Sequence, residues 1–377
     1  MENQLLEKQK ERVREVFASL PLPNFKHGLN IHSAPDFVFP FERSLTPERA
    51  PWKLMKQSGS VGIEDLALAV RRSEVARFIE DGKFLEAKDK IDAWNVLSAS
   101  AGHFVRLEGE CMVSFNVDCS KERHDQVIFH ALPGSRAQVV IRYRGKPRRS
   151  DGTFQTERIL AACEEGGTLS IVSLHEGGQP IVFQNRQAKV ARDGKMEWND
   201  FMGGAEFFSL RVNTELIGEG ARVGQTLGYA GAGKAIADID ARILHRAPRT
   251  DSDMRMRLAA SGQSRIVCQG TVVIDPRARA ANGFQDIKGI IFDTAEIDPV
   301  PHLEIGNADV KCGHAVTVSP FDEETLFYLS SRGIGEADAR KTLLKSFYRS
   351  LVGKNIGAAT VKICARFIKK AVASMAS

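Results

Sequence analysis

Residues 207–245 read FFSLRVNTELIGEGARVGQTLGYAGAGKAIADIDARILH, and their periodicity sets the fold class. Phe208, Leu210, Val212, Thr214 and Leu216 fall on one face of an extended segment. So do Ala221, Val223, Gln225, Leu227 and Tyr229, and then Ile239, Ala241 and Ile243. A period of two places successive side chains on opposite faces of a strand, so each run is a strand with one buried face. The runs are broken by glycine-rich turns, GEG and GAG here, EEGG and HEGG upstream. The same alternation holds from about residue 101, with Val139, Ile141 and Tyr143 on one face, to about residue 318. No amphipathic helix of useful length interrupts it. A doubly wound α/β sheet needs crossover helices and is excluded on that ground. Some 200 residues of short strands leave a sandwich, a barrel or a β-solenoid. The recurring glycine-rich turns, roughly every 20 residues, favour the solenoid.

The ends of the chain change period. Within residues 1–100, Val13, Val16, Phe17 and Leu20 recur at helical spacing, and Glu64–Leu97 is rich in Ala, Leu, Glu and Lys. Between them, residues 20–52 carry six prolines and a glycine, which argues for irregular structure. Residues 319–377 read as three helices. Ser319 is placed to cap the first, with Pro320 at its opening position and Gly333 ending it. The second carries Ala339, Leu343, Phe347 and Leu351; the third carries Val361, Cys364, Ile368 and Val372. Three short helices after a strand domain suit an end cap or a docking module.

Composition narrows the function classes. With 43% hydrophobic and 26% charged residues the 377-residue chain has material for a large core. A net charge of +5 is too mild to argue for nucleic acid. The one compact basic cluster, Lys146, Pro147, Arg148 and Arg149, reads as a solvated loop. No 18-residue apolar run suggests a membrane span, and the mixed-charge N-terminus resembles no signal peptide. Cysteines at 111, 119, 163, 268, 312 and 364 lack paired spacing and suit free thiols in a reducing, cytoplasmic setting.

Few residues advertise chemistry. Gly228–Ala235 nearly matches a phosphate-binding loop, but Ala235 replaces the metal-binding hydroxyl. The following IADIDARILH alternates as a strand where the motif needs a helix. It reads as a turn. Cys312 and His314 stand two apart on a strand, hence on one face, and both side chains bind soft or borderline metals. Two ligands fall short of the four of a tetrahedral site, so a buried cysteine beside a hydrogen-bonded histidine is the plainer reading. Glu304 reads as a strand-surface carboxylate, His245 as a satisfied half-buried histidine, and Cys268 as a small apolar core residue. No Ser-His-Asp order, GxSxG, HExxH or kinase pattern occurs, so nothing marks an enzyme.

Residues 301–334, PHLEIGNADVKCGHAVTVSPFDEETLFYLSSRGI, resemble the SufB/SufD family, scaffold proteins of the SUF iron–sulfur assembly system. Pro301, Leu303, Glu304 and Ile305 carry the likeness, then Asp309, Val310, Lys311, Cys312 and His314, then Leu326–Leu329 and Ser331–Ile334. It extends upstream through VNTELIGEGARVGQTLGYAG and through LHRAPRTDSDMRMRLAASGQSRIVCQGTVVIDPRARAANGFQD, to cover roughly residues 160–350. The resemblance implies a mainly β fold: a right-handed parallel β-helix core over 101–318, flanked by an N-terminal helical region (1–100) and a C-terminal helical ATPase-docking region (319–377). It implies a non-enzymatic subunit that pairs through its β-helix with a SufB-like partner. Its C-terminal helices, over Phe327, Tyr328, Leu329, Arg332, Gly333 and Ile334, would dock a SufC-like ABC ATPase. The bound group would be a transient iron–sulfur cluster shared with the partner; a flavin and self-pairing as a homodimer are left open.

The chain looks SufD-like. The family's SufD side carries Lys-Cys-Ser-His-Gly, and here Lys311-Cys312-Gly313-His314-Ala315 stands. The scaffold cysteine of the SufB side would fall near Asp286 and Ile287, where there is none. His314 is the residue carried over as cluster ligand, with Cys312 a weaker candidate. Lys288, Gly289, Gly313 and Ala315 depart from the family pattern, and residues 1–100 match poorly, as in a divergent lineage. The competing classes are a β-solenoid adaptor with no cluster role and a β-helix carbohydrate-active enzyme. The latter needs paired carboxylates on successive coils, which the strands do not offer.

Overall fold

The computed structural model describes residues 4–23, 25–27, 31–32, 52–72, 75–76, 79, 86–99, 102–145, 154–176, 179–320, 323–352 and 357–375. The basic cluster 146–149 and most of the proline-rich stretch lie outside them. The strands are β1 (Lys26–His27), β2 (Ile31–His32), β3 (Trp52–Asp65), β4 (Gly102–Asp118), β5 (Arg123–Ala131), β6 (Arg136–Arg144), β7 (Phe154–Cys163), β8 (Thr168–His175) and β9 (Gln179–Val190). They continue as β10 (Lys195–Gly203), β11 (Ala205–Leu216), β12 (Arg222–Gly231), β13 (Ile236–His245), β14 (Asp251–Ala260), β15 (Arg265–Ile274), β16 (Ala281–Ile291), β17 (Glu296–Ile305) and β18 (Val310–Pro320). The helices are α1 (Gln4–Phe17), α2 (Leu66–Ala69), α3 (Lys90–Ser98), α4 (Glu323–Ser331), α5 (Glu336–Arg349) and α6 (Ala358–Met375).

Each strand from β5 onward pairs in parallel with the strand two further on, never with the next. Odd strands β5 to β17 form one face and even strands β6 to β18 the other, a parallel β-solenoid of about seven coils. The long strand β4 starts both faces. Its first half pairs with β5 and its second with β6, and it bends between them at Gly109, where φ is +65°. Phe207, Ile236, Arg265 and Glu296 stand in one register row, a row shared by four successive coils.

Between each odd strand from β5 to β15 and the next even one lies a turn with one residue in the left-handed region. In order these are Gly134, Gly166, Asp193, Gly220, Arg249 and Ala280. Every one of the six donates its backbone N–H to a carbonyl in the turn one coil on, at 2.7–3.2 Å. Three of them are not glycine and accept a cost of roughly 1–2 kcal/mol each, which the ladder bond offsets. The near phosphate-loop motif belongs to the opposite column of turns. Gly233 (φ +67°) turns the chain from β12 into β13, a parallel coil turn followed by a strand.

The inward rows fill the solenoid: Val139, Ile141 and Tyr143 from β6, Phe208 to Leu216 from β11, and Val223, Leu227 and Tyr229 from β12 are all buried, as their alternation required. An ionic row threads this core in the first coils. Arg186 pairs with Asp200 and lies 5.6 Å over the Trp198 ring; Arg123 pairs with Asp125 and stands 3.3 Å from Glu157. Tyr143 and Gln184 both donate to Glu157, at 2.6 and 2.9 Å. These charges are compensated inside the barrel of coils, the arrangement burial demands.

Both outer faces are clad. On the odd face, α1–α3 bury Val13, Leu66, Ala93 and Val96 against Phe104, Ile128 and Leu160, and Trp94 and Ile91 against Phe154 and Phe183. Asp89–Arg211 and Asp92–Asn185 (2.5 and 2.8 Å) pin α3 in place. On the even face, α5 and α6 lay Leu344, Tyr348, Phe367 and Ile368 over Val172, Leu174, Phe201 and Ala230. The Tyr348 hydroxyl donates to the Tyr229 carbonyl (2.7 Å), and Glu176 pairs with Arg144 and Arg366.

Three local expectations change. Ser319 and Pro320 end strand β18 and do not cap α4, because pairing with β16 carries the strand through both. Val361 lies on the exposed side of α6, while Ile363 and Phe367 join Cys364, Ile368 and Val372 in the buried stripe. The first hundred residues also contain a 14-residue strand, β3, antiparallel to β4, which periodicity does not signal. Ten of its 14 residues are exposed, with Trp52, Val61 and Ile63 reaching the core, and the open edge of the first coil holds it as a strand.

Gly228 explains itself here. A Cβ on it would stand 3.0 Å from Phe367 and 3.1 Å from Leu351, so its bare backbone lets α6 and the end of α5 settle on β12. Gly228→Val is expected to cost about 1–3 kcal/mol, read as a lower urea midpoint, with amide exchange in 336–375 rising first.

Candidate functional site

The coil that differs from all others is the last. In β14 and β15 the inward rows are wholly buried, but β17 and β18 have no further strand beside them among the described residues. Along β18 the inward row is Val310, Cys312, His314, Val316 and Val318; four are half-buried and His314 is exposed. In β17, Leu303 is half-buried and Ile305 is 48% exposed. The inside of the solenoid thus opens at this end, and an unpaired strand edge runs along both faces. The opposite end is covered by β3.

Cys312 and His314 therefore share one face of one strand, as their spacing required. Their surroundings differ. Cys312 turns inward onto Val272, Ile274, Ala278 and Ala281, and burial pushes its thiol above the ordinary value. His314 sits in register over Gln285, whose side-chain amide crosses the core to the His302 carbonyl (3.1 Å) and ties β16 to β17. Glu304 is a surface carboxylate, as expected, 3.3 Å from His302 and 3.6 Å from Arg242.

Among the described residues no group of three or more His, Cys, Asp or Glu converges as a metal site. The inward row of β18 offers one imidazole and one thiol, too few to enclose a metal by themselves.

Two residues from the terminal strand, α4 presents Phe327 at 77% and Tyr328 at 57% exposure, with Arg332 stacked 5.4 Å over the Tyr328 ring. Leu329 is half-buried. Gly333 (φ +81°) and Ile334 close the helix with bonds to Ser330 and Leu329, a C-terminal cap that fixes how the aromatic pair is offered.

Beneath this coil lies His245, satisfied as its sequence reading expected but more deeply buried. His245 is fully buried, its Nδ1 and Nε2 each 2.8 Å from the hydroxyls of Thr250 and Ser252. Thr250 gives its own proton to the Ala247 carbonyl (3.0 Å), so its oxygen accepts from Nδ1–H. Nε2 then carries the lone pair and accepts from Ser252. The clue was the hydroxyls five and seven residues after the histidine. Cys268 is buried beside Met256, an apolar core thiol as expected.

The fold is thus a parallel β-solenoid clad by helices on both faces, with one open end that bears an imidazole and a thiol. Residues 115–347 match the family model described as SUF system FeS cluster assembly, SufBD core domain. The chain belongs to that family. It is 33% identical over 232 residues to an iron-sulfur cluster assembly SufBD family protein of Staphylococcus saprophyticus, covering 52% of this chain and 50% of the relative. A Staphylococcus haemolyticus relative of the same description matches equally, and one from Staphylococcus aureus is 33% identical over 160 residues, covering 42% and 34%. The chain spans about half the length, or less, of these curated relatives.

Burial depresses the His245 pKa from 6.5 to about 4. The unfolded chain then binds a proton that the native chain does not, so stability is full above pH 6.5 and falls as pH drops toward 4. The expected loss across that window is on the order of 3 kcal/mol. Urea melts at pH 7.5 and 4.5 should show it, and His245→Asn should flatten that part of the profile.

Proposed function

We propose that this chain is the SufD-like, non-enzymatic subunit of a SUF-type assembly complex, and that it supplies an imidazole to a nascent iron–sulfur cluster built at its open terminal coil. The observation that carries this reading is His314: it stands on an inward-facing row, yet is exposed because the solenoid ends there. A SufB-like partner whose own strands continue this coil would bury the row and bring thiolates to the cargo. The imidazole must be neutral to bind iron, and a closed interface would control its access. The lack of a cysteine near Asp286 and Ile287, where the SufB side would carry its own, supports the SufD-like assignment.

The exposed Phe327 and Tyr328 on α4 suit the docking of a SufC-like ABC ATPase. Large aromatics left in water on a helix are an interface in waiting. Because α4 follows β18 after two residues, movement at the dock would reach the strand that bears His314.

His314→Ala is expected to reduce cluster formation by the reconstituted complex more than about tenfold, with partner pairing on size exclusion unchanged. Full activity in that variant would leave the adaptor reading, in which His314 only packs. Phe327→Asp should weaken ATPase capture by about 2 kcal/mol or more, roughly thirtyfold, measured by titration calorimetry. The chain's pairing with its β-helix partner should be unaffected.

A further inference from the structure

Three positions in adjacent parallel strands stand in one inward register row: Ser252 on β14, Gly283 on β16 and Cys312 on β18. The middle one has no side chain. A Cβ on Gly283 would lie 3.3 Å from the Cys312 sulfur, 2.9 Å from Val272 Cγ1 and 3.4 Å from the Ser252 hydroxyl. The sulfur thus occupies space that any other residue at 283 would claim. Val272 is fully buried on the facing sheet and cannot retreat. Ser252 is held by His245, whose Nε2 takes the Ser252 proton. Of the three neighbours only Cys312 can give way, because nothing stacks beyond β18 among the described residues.

We propose that Gly283 is a positioning residue that holds the Cys312 thiol turned into the core, away from the open face on which His314 is presented. The two candidate ligands are then unequal by construction. His314 is offered to a partner at rest. Cys312 is a reserve thiol, packed among Val272, Ile274, Ala278 and Ala281, and reaches the open face only when β18 shifts or the side chain swings out.

This inference rests on the proposed role of the terminal coil as the cluster-facing end, but its test does not. The chain alone, without iron or partners, is treated with iodoacetamide under native conditions, and alkylation is mapped by peptide mass. In the native chain Cys312 should react slowly. In Gly283→Ala the new methyl should drive the sulfur outward, and the Cys312 rate should rise about tenfold. Fully buried Cys268, one coil away, should stay unreactive. Should Gly283→Ala not fold, the Cys312 alkylation rate of the native chain is set against that of the chain unfolded in urea: a native rate at least about tenfold slower is expected, and equal rates overturn the proposal.

An unchanged Cys312 rate in a folded variant overturns the proposal. So does a parallel rise at Cys268, which signals general loosening. Either outcome leaves the His314→Ala result untouched, and loss of the His314 role leaves the alkylation result standing.

Discussion

The constraint on which everything else depends is the vertical register of the coils. Strands two apart in sequence pair in parallel without slippage from β5 to β18, and the bond from each left-handed turn residue to the next turn fixes the step. A slip of one residue would exchange inward and outward rows on the whole strand. It would drive Arg158 into the core and Glu157 out of its pairing with Tyr143 and Arg123. The willingness of Asp193, Arg249 and Ala280 to adopt positive φ shows how strongly the stacked turns hold the chain.

From that register follows the division of surfaces. A solenoid has two faces and two ends, and each must be covered or used. The N-terminal helices take the odd face, the C-terminal helices the even face, and β3 the first edge. What remains is the last coil, with half-buried apolar residues, two unpaired strand edges and the Cys312–His314 pair. The position of the candidate site is thus a consequence of elimination by packing. Among the described residues no group of three or more His, Cys, Asp or Glu converges there.

The alternation of β11, β12 and β13 was legible in the chain because burial on one face imposes a period of two regardless of neighbours. The same-face placement of Cys312 and His314 was legible for that reason too, as was the glycine stop of α4. Other features were not. β3 has no amphipathic pattern and exists because β4 offers an edge. Ser319 and Pro320 look like a helix start, and ladder pairing to β16 overrides that local signal. Arg186, Asp200 and Glu157 look like surface charges until strand parity places them inside, where each finds its partner on a different strand.

The sequence by itself determined that the centre is strand-only with helical ends, with sandwich, barrel and solenoid all open to it, and that a thiol and an imidazole share a face. These depend on local periodicity, which each segment carries within itself. Only the tertiary structure decided that the imidazole is exposed and the thiol turned inward. That difference is made by Gly283 and Val272, brought beside Cys312 from other strands, and by the absence of a following coil among the described residues. Such facts belong to the stacking of distant segments, and no stretch of chain holds them alone.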